Sequence, residues 1–136
     1  MKILLPADGS DHSLRATKKA IDLVKLFDGE IEVVYVVDGS TSKEDVLKSL
    51  SKVEIVQKRK ERLEPVESLL SNAKVSYTIK FLHGEPGPTI VDYANNDEFE
   101  YVVLGSRGLN KVQTLVLGSV SHKVAKRVDC PVMIVK

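Results

Sequence analysis

Five short runs rich in Val, Ile and Leu punctuate the chain: KILLP (2 to 6), IEVVYVV (31 to 37), VSYTIKFL (75 to 82), YVVLG (101 to 105) and PVMIVK (131 to 136). Three of them are nearly unbroken apolar stretches, the pattern of strands covered on both faces of a parallel sheet. VSYTIKFL alternates instead, which places it near a sheet edge with one face partly wet. Between the runs the spacing turns helical. Residues 10 to 27 set Leu14, Ala20, Ile21, Val24 and Leu26 or Phe27 on one face, with Ser10 and Asp11 as caps and Asp28-Gly29 as the stop. Residues 42 to 71 open on a capping-box-like Ser42-Lys43-Glu44-Asp45 and carry Val46, Leu50, Val53, Leu63, Val66 and Leu70. Pro65 is expected to kink or split that helix. Residues 87 to 94 form a shorter helix with Pro88 in its first turn, and 119 to 127 form the last, its inward face being Val120, Val124 and Ala125.

The alternation of strand and helix predicts one α/β domain over residues 1–136, an open, doubly wound, five-stranded parallel sheet with helices on both faces. With strands ordered 3-2-1-4-5, the direction of winding reverses between strands 1 and 4, and ligands bind outside the carboxyl ends of strands at such a point. Strand 1 ends in PADGS and strand 4 in LGSRG, so the two loops are expected to face each other across one crevice.

Composition narrows the partners. Twenty basic and nineteen acidic residues in 136 leave a net charge of +1, which gives no global attraction to nucleic acid or an anionic membrane. QKRKERLE (57 to 64) is interrupted by acids and lacks an aromatic, so it reads as a solvated helix face, and no nucleic-acid partner is expected. No apolar run is long enough to span a bilayer and the amino terminus turns polar too soon for a secretory signal, so a cytoplasmic location is expected. Cys130 reads as a small core residue. His12, His83 and His122 show no metal-ligand spacing and read as surface or capping residues. Ser10, Ser13, Ser119 and Ser121 read as caps or phosphate donors rather than nucleophiles, and no catalytic residue is assigned.

The chemistry concentrates in LGSRGLNKVQTLVLGSVSHKV, residues 104 to 124. Gly105 and Gly108 let the backbone turn tightly after strand 4, and Gly118 and Ser119 open the last helix. A helix start offers free N–H groups and the positive end of a dipole, so Ser119, Val120 and Ser121 are placed to donate to phosphate oxygens. Neither a Walker loop nor the dinucleotide fingerprint is present. The spacing that fits is G-x2-G-x9-G-S, made by Gly105, Gly108, Gly118 and Ser119. Asp8 reads either as an acceptor for a ribose hydroxyl, as a carboxylate holding a hydrated Mg²⁺, or as an Asx-turn residue ahead of Ser10. Arg107 reads either as a phosphate partner or as a solvated loop residue.

These motifs, with KILLPADGS, VVYVVD, GEPGPTIVDYA and the final CPVMIV, resemble the ATP-binding branch of the universal stress protein family over the whole chain. The resemblance implies ATP, or AMP or ADP, lying across strands 1 and 4. Pro6, Ala7 and Asp8 would line its base and ribose, and Val36 would meet the adenine through its backbone. Gly105, Ser106, Arg107, Gly108, Leu109, Asn110 and Lys111 would wrap the ribose and phosphates, and Gly118, Ser119, Val120 and Ser121 would complete the phosphate site. The chain departs from the family pattern at the bulkier Lys111, Val112 and Gln113, where Lys111 offers an added phosphate contact. The implied function is a homodimeric stress-response or signalling protein with the nucleotide as regulatory ligand. The terminal strand, 131 to 136, would pair with its copy in the second subunit. The alternatives are a nucleotide-free interaction module or a weak ATPase. The pyrophosphatase loop of related adenine-nucleotide hydrolases is not matched by DGSDHS.

Overall fold

The computed structural model describes residues 1–37, 51–106 and 118–136. Within the described residues nine elements follow one another: β1 (Lys2–Pro6), α1 (Asp11–Phe27), β2 (Glu30–Val37), α2 (Lys52–Asn72), β3 (Ser76–His83), α3 (Pro86–Asn95), β4 (Tyr101–Gly105), α4 (Ser119–Arg127) and β5 (Val132–Val135). The strands form one sheet in the order β3-β2-β1-β4-β5, every neighbouring pair parallel.

The period of two along a strand explains why the central runs are apolar throughout. Ile3 and Leu5 of β1 join Ile31, Val33, Tyr35 and Val37 of β2 in a core beneath α1 and α2. Leu4 and Val34 point the other way, into a second core with Val102, Leu104 and residues of α3 and α4. Both faces are covered, so both sets of side chains are buried. Among the described strands β3 pairs only with β2, and it alternates in exposure along most of its length, as its sequence pattern predicts for an edge strand.

Several helix faces depart from the periodicity. On α1 the buried residues are Ser13, Ala16, Thr17, Ala20, Ile21 and Val24. Leu26 and Phe27, one or other of which is expected inward, are 76% and 60% exposed, beyond Val24, the last buried residue of the helix. Asp28, rather than Gly29, takes the left-handed cap position, at φ 52°. The second helix does not run unbroken from residue 42. Ser51 is an extended N-cap whose hydroxyl accepts from Glu54 N–H at 3.2 Å, and α2 begins at Lys52. Val53, beside that cap, is consequently exposed, whereas Leu63, Val66 and Leu70 are buried as expected. Pro65 sits inside α2 without splitting it. On α4 Val124 is buried but Ala125 faces outward. The expected helix start at Ser42 to Asp45, with Val46 and Leu50, lies outside the described residues.

Within β2 one position contradicts its apolar run. Glu32 is 5% exposed on the α3 and α4 face, where it accepts from Tyr93 Oη at 2.6 Å and pairs with Lys80 at 3.4 Å. Lys2 lies 4.0 Å from the same carboxylate and bonds Asp97 at 3.2 Å. Lys2 also covers the ring of Phe99, and Lys80 that of Tyr93. A buried charge is tolerable only when paired and hydrogen-bonded, and this network supplies both.

A nucleotide-sized cleft at the switch point

The chain leaves β1 toward β2 on one side and reaches β4 on the other, so the winding reverses between β1 and β4. At their carboxyl ends lies a cavity of about 590 Å³, inside the roughly 300–1,000 Å³ of small-molecule sites. Its walls bring together Pro6, Ala7 and Asp8 after β1, Val34, Tyr35 and Val36 of β2, Leu104 and Gly105 of β4, and Gly118, Val120 and Ser121 at the start of α4. His12 and Ser13 of α1 and Pro86 and Ile90 of α3 complete it. A second hollow, of about 630 Å³, lies at the amino ends of the strands, where the carboxylates of Asp28, Glu30, Asp97, Glu98 and Glu100 outnumber the Met1 amine and Lys2. Its carboxylates would repel an anionic ligand, whereas the first cleft receives the amino ends of α1, α3 and α4.

The expected residues that fall among the described ones have definite places. Ala7 N–H donates to Val34 carbonyl at 3.0 Å, which locks the first loop onto β2. Val36 pairs with Leu82 of β3 in the ladder. Ser106 is fully buried, and its N–H donates to Val135 carbonyl at 2.8 Å. Ser119 is exposed at the first position of α4 and does not line the cleft. Gly118 caps α4 with no side-chain bond and with φ −70° and ψ 168°, a conformation open to any residue. The first intrahelical donor is His122 N–H, to Gly118 carbonyl at 3.0 Å. The preceding N–H groups of the first turn have no intrahelical acceptor, as at any helix start. Ser121 is buried, and its hydroxyl donates to Gly105 carbonyl at 3.3 Å. It therefore joins the two glycine elements to each other. Arg107, Gly108, Leu109, Asn110, Lys111, Val112 and Gln113 lie outside the described residues.

Gly105 has a reason of its own to lack a side chain. A Cβ there would stand 2.2 Å from the His12 carbonyl oxygen, so β4 and the first turn of α1 approach too closely for any larger residue. In the first loop Gly9 adopts φ +84° against the Arg62 carbonyl of α2, a conformation that fixes the path from β1 into α1.

Asp8 makes the Asx-turn: its Oδ1 accepts the Ser10 N–H at 3.0 Å and also the Ser10 hydroxyl. Partial burial of the carboxyl pushes its pKa up. The hydroxyl and N–H of Ser10, the charge of His12 and the Ser13 hydroxyl together pull it below the usual carboxylate value, so the group is an acceptor at neutral pH. Ser10 Oγ lies 2.9 Å from His12 Nε2. Since the Ser10 proton goes to Asp8, its oxygen accepts from a protonated Nε2. That polarity is the reverse of a serine activated by an imidazole base. Ser10 also caps α1, accepting from Ser13 N–H at 3.4 Å. No group of three or more His, Cys, Asp or Glu side chains suited to a metal ion occurs among the described residues. No helix among them is long and apolar enough to cross a membrane.

Val34, Tyr35, Pro86, Ile90 and His12 line the cleft without having been selected from the sequence, and His12 is the basic one among them. Its signal was position: two residues past the Ser10 cap, in the first turn after PADGS, it had to lie at the carboxyl edge of the sheet.

A universal stress protein of Methanocaldococcus jannaschii is 34% identical over 139 residues, covering 99% of this chain and 81% of that protein. The structure of a universal stress protein from Archaeoglobus fulgidus superposes with a TM-score of 0.79 at 26% identity, covering 100% of this chain and 98% of that one. A universal stress protein from the same organism, solved in complex with dAMP, shares the fold at a TM-score of 0.75 and 24% identity, covering 100% and 98%. The model of the universal stress protein family matches residues 1–136. With the sheet order, the switch-point cleft and these likenesses in agreement, the chain belongs to the universal stress protein family.

Proposed function

We propose that the cleft binds an adenine nucleotide, ATP in its charged form, as the regulatory ligand of a dimeric stress-response protein. The observation that carries this reading is the convergence of helix amino ends, with the uncapped start of α4 among them, on one cavity at the β1–β4 switch point. An apolar floor of Val34, Val36, Ile90 and Leu104 suits a base. Asp8, an acceptor at neutral pH, suits a ribose hydroxyl, and the α4 start suits phosphate. The dAMP complex of the Archaeoglobus fulgidus relative supports an adenine nucleotide as the ligand class. Magnesium would enter on the phosphates themselves.

The dimer reading rests on β5. It pairs with β4 alone among the described strands, and all four of its residues remain partly exposed. An apolar strand with one open edge is suited to pairing with its copy.

Isothermal titration with ATP, ADP and AMP in the presence of Mg²⁺ tests the ligand. Saturable heat at one site per chain is expected, and the absence of both heat and thermal shift with all three would leave the nucleotide-free interaction module as the better reading. Sustained release of inorganic phosphate would point to an ATPase. Sedimentation at twice the 15.0 kDa chain mass is expected for the dimer.

A further inference from the structure

Among the described residues lining the cleft there is one carboxylate, Asp8, and no lysine or arginine. His12 is the basic side chain of that lining. We propose that His12 is a residue by which the cleft distinguishes phosphate-bearing ligands from the bare nucleoside, its ring donating to a phosphate oxygen as an imidazolium. The proposal rests on the nucleotide reading above and deepens it.

Geometry places the ring. The His12 carbonyl and Cβ lie against Gly105 at the end of β4, while the ring reaches back to Ser10 in the loop after β1. His12 therefore stands between the two strands that flank the switch point. Its Nε2 donates to Ser10 Oγ, whose proton is committed to Asp8. Nδ1 has no partner among the described residues. In the neutral ring that atom is an acceptor and meets a phosphate oxygen lone pair to lone pair. Protonated, it becomes a charge-assisted donor. A phosphate at Nδ1 thus takes up a proton on binding, and a ligand without phosphate does not.

The surroundings of the ring make the proton the controlling variable. From the first loop it faces Asp8 through Ser10, and on α1 its neighbours are Asp11 and Arg15. β4 contributes Leu104 and Gly105, and α4 contributes Val120 and Ser121, none of them charged. The Ser13 hydroxyl is engaged with Ser10 carbonyl at 2.9 Å. Asp8, an acceptor at neutral pH, holds the tethering Ser10 in one orientation.

The test is titration calorimetry of the full chain with ATP, AMP and adenosine near pH 6 and pH 8, in two buffers of different ionisation enthalpy. Wild type and His12→Asn are compared, so that protonation of the ligand's own phosphates cancels. Wild type is expected to take up more protons on binding ATP than the variant does. Near pH 6 the variant is expected to lose about tenfold in ATP affinity, with a smaller loss for adenosine. Equal proton uptake in the two proteins, or equal losses for ATP and adenosine, would overturn the proposal while leaving the nucleotide reading standing. Failure of wild type to bind any of the three would overturn both. His12→Gln, which also cannot carry the charge, should reproduce His12→Asn, and circular dichroism of each variant separates a lost ligand from a lost fold.

Discussion

Gly105 and His12 touch backbone to backbone: a methyl group at Gly105 would lie 2.2 Å from the His12 carbonyl oxygen and 2.6 Å from its carbon. Backbone cannot swing aside as a long side chain does, so Gly105→Ala must push α1 off β4. Overpacking of this kind costs about 1–3 kcal/mol, and the upper part of that range is expected in urea denaturation. Nucleotide affinity should fall with it, since the displaced turn carries His12 and Ser13. Wild-type stability in Gly105→Ala would show that the turn moves freely.

Gly118 makes the opposite prediction. Its φ of −70° and ψ of 168° suit any residue, so Gly118→Val should leave the unfolding midpoint near wild type. At the start of α4 the new side chain would stand in the path of a phosphate, and ATP binding by calorimetry should be lost. Undiminished affinity would mean that the phosphates lie elsewhere.

Asp8 links stability to acid pH. Its folded pKa is depressed, since the Ser10, His12 and Ser13 interactions outweigh the effect of burial. A depressed carboxyl contributes stability that is complete above its unfolded value, near 3.8, and is lost as pH falls through the folded one. The stability gap between wild type and Asp8→Asn should therefore be constant from pH 7 to about pH 5 and close below about pH 4. Thermal melts across that series measure it, and a gap that widens toward acid would reverse the sign.

Tyr93 holds the buried Glu32 at 2.6 Å. Tyr93→Phe removes a hydrogen bond to a charged acceptor, worth about 1.5–3 kcal/mol, and leaves the carboxylate to Lys80 and Lys2. Destabilisation of that order is expected by urea titration, with nucleotide binding retained, because Glu32 does not line the cleft.

The strands were legible because burial on both faces forces unbroken apolar runs, and the edge position of β3 because VSYTIKFL alternates; their order was assumed from the doubly wound architecture, which the sheet bears out. The cleft was legible from topology: PADGS and the end of YVVLG had to meet once β1 and β4 were neighbours. What escaped were features set by distant partners. Glu32 is buried only because Tyr93 and Lys80, far along the chain, close over it. Phe27 continues the helical period of α1 beyond Val24 and is nonetheless exposed, since burial at a helix end depends on what packs there. Ser51 resembled one more polar helix residue until its extended backbone made it a cap. Gly105 reads as a tight turn in a ligand cradle, but what requires its missing side chain is the backbone of His12, a helix residue whose position depends on packing.

The buried face of α1 is made of small residues, Ser13, Ala16, Thr17 and Ala20, before it reaches Ile21 and Val24. Thr17 Oγ1 donates to the Ser13 carbonyl at 2.7 Å and Ser13 to that of Ser10, so neither hydroxyl needs room for a partner outside the helix. The first half of α1 can therefore settle deeper against the sheet than its second half. It is this first turn whose backbone reaches Gly105, where an added Cβ would stand 2.2 Å from the His12 carbonyl oxygen. A methyl group added at Ala16 or Ala20 would wedge the helix upward and open the site from beneath, through residues that no ligand touches.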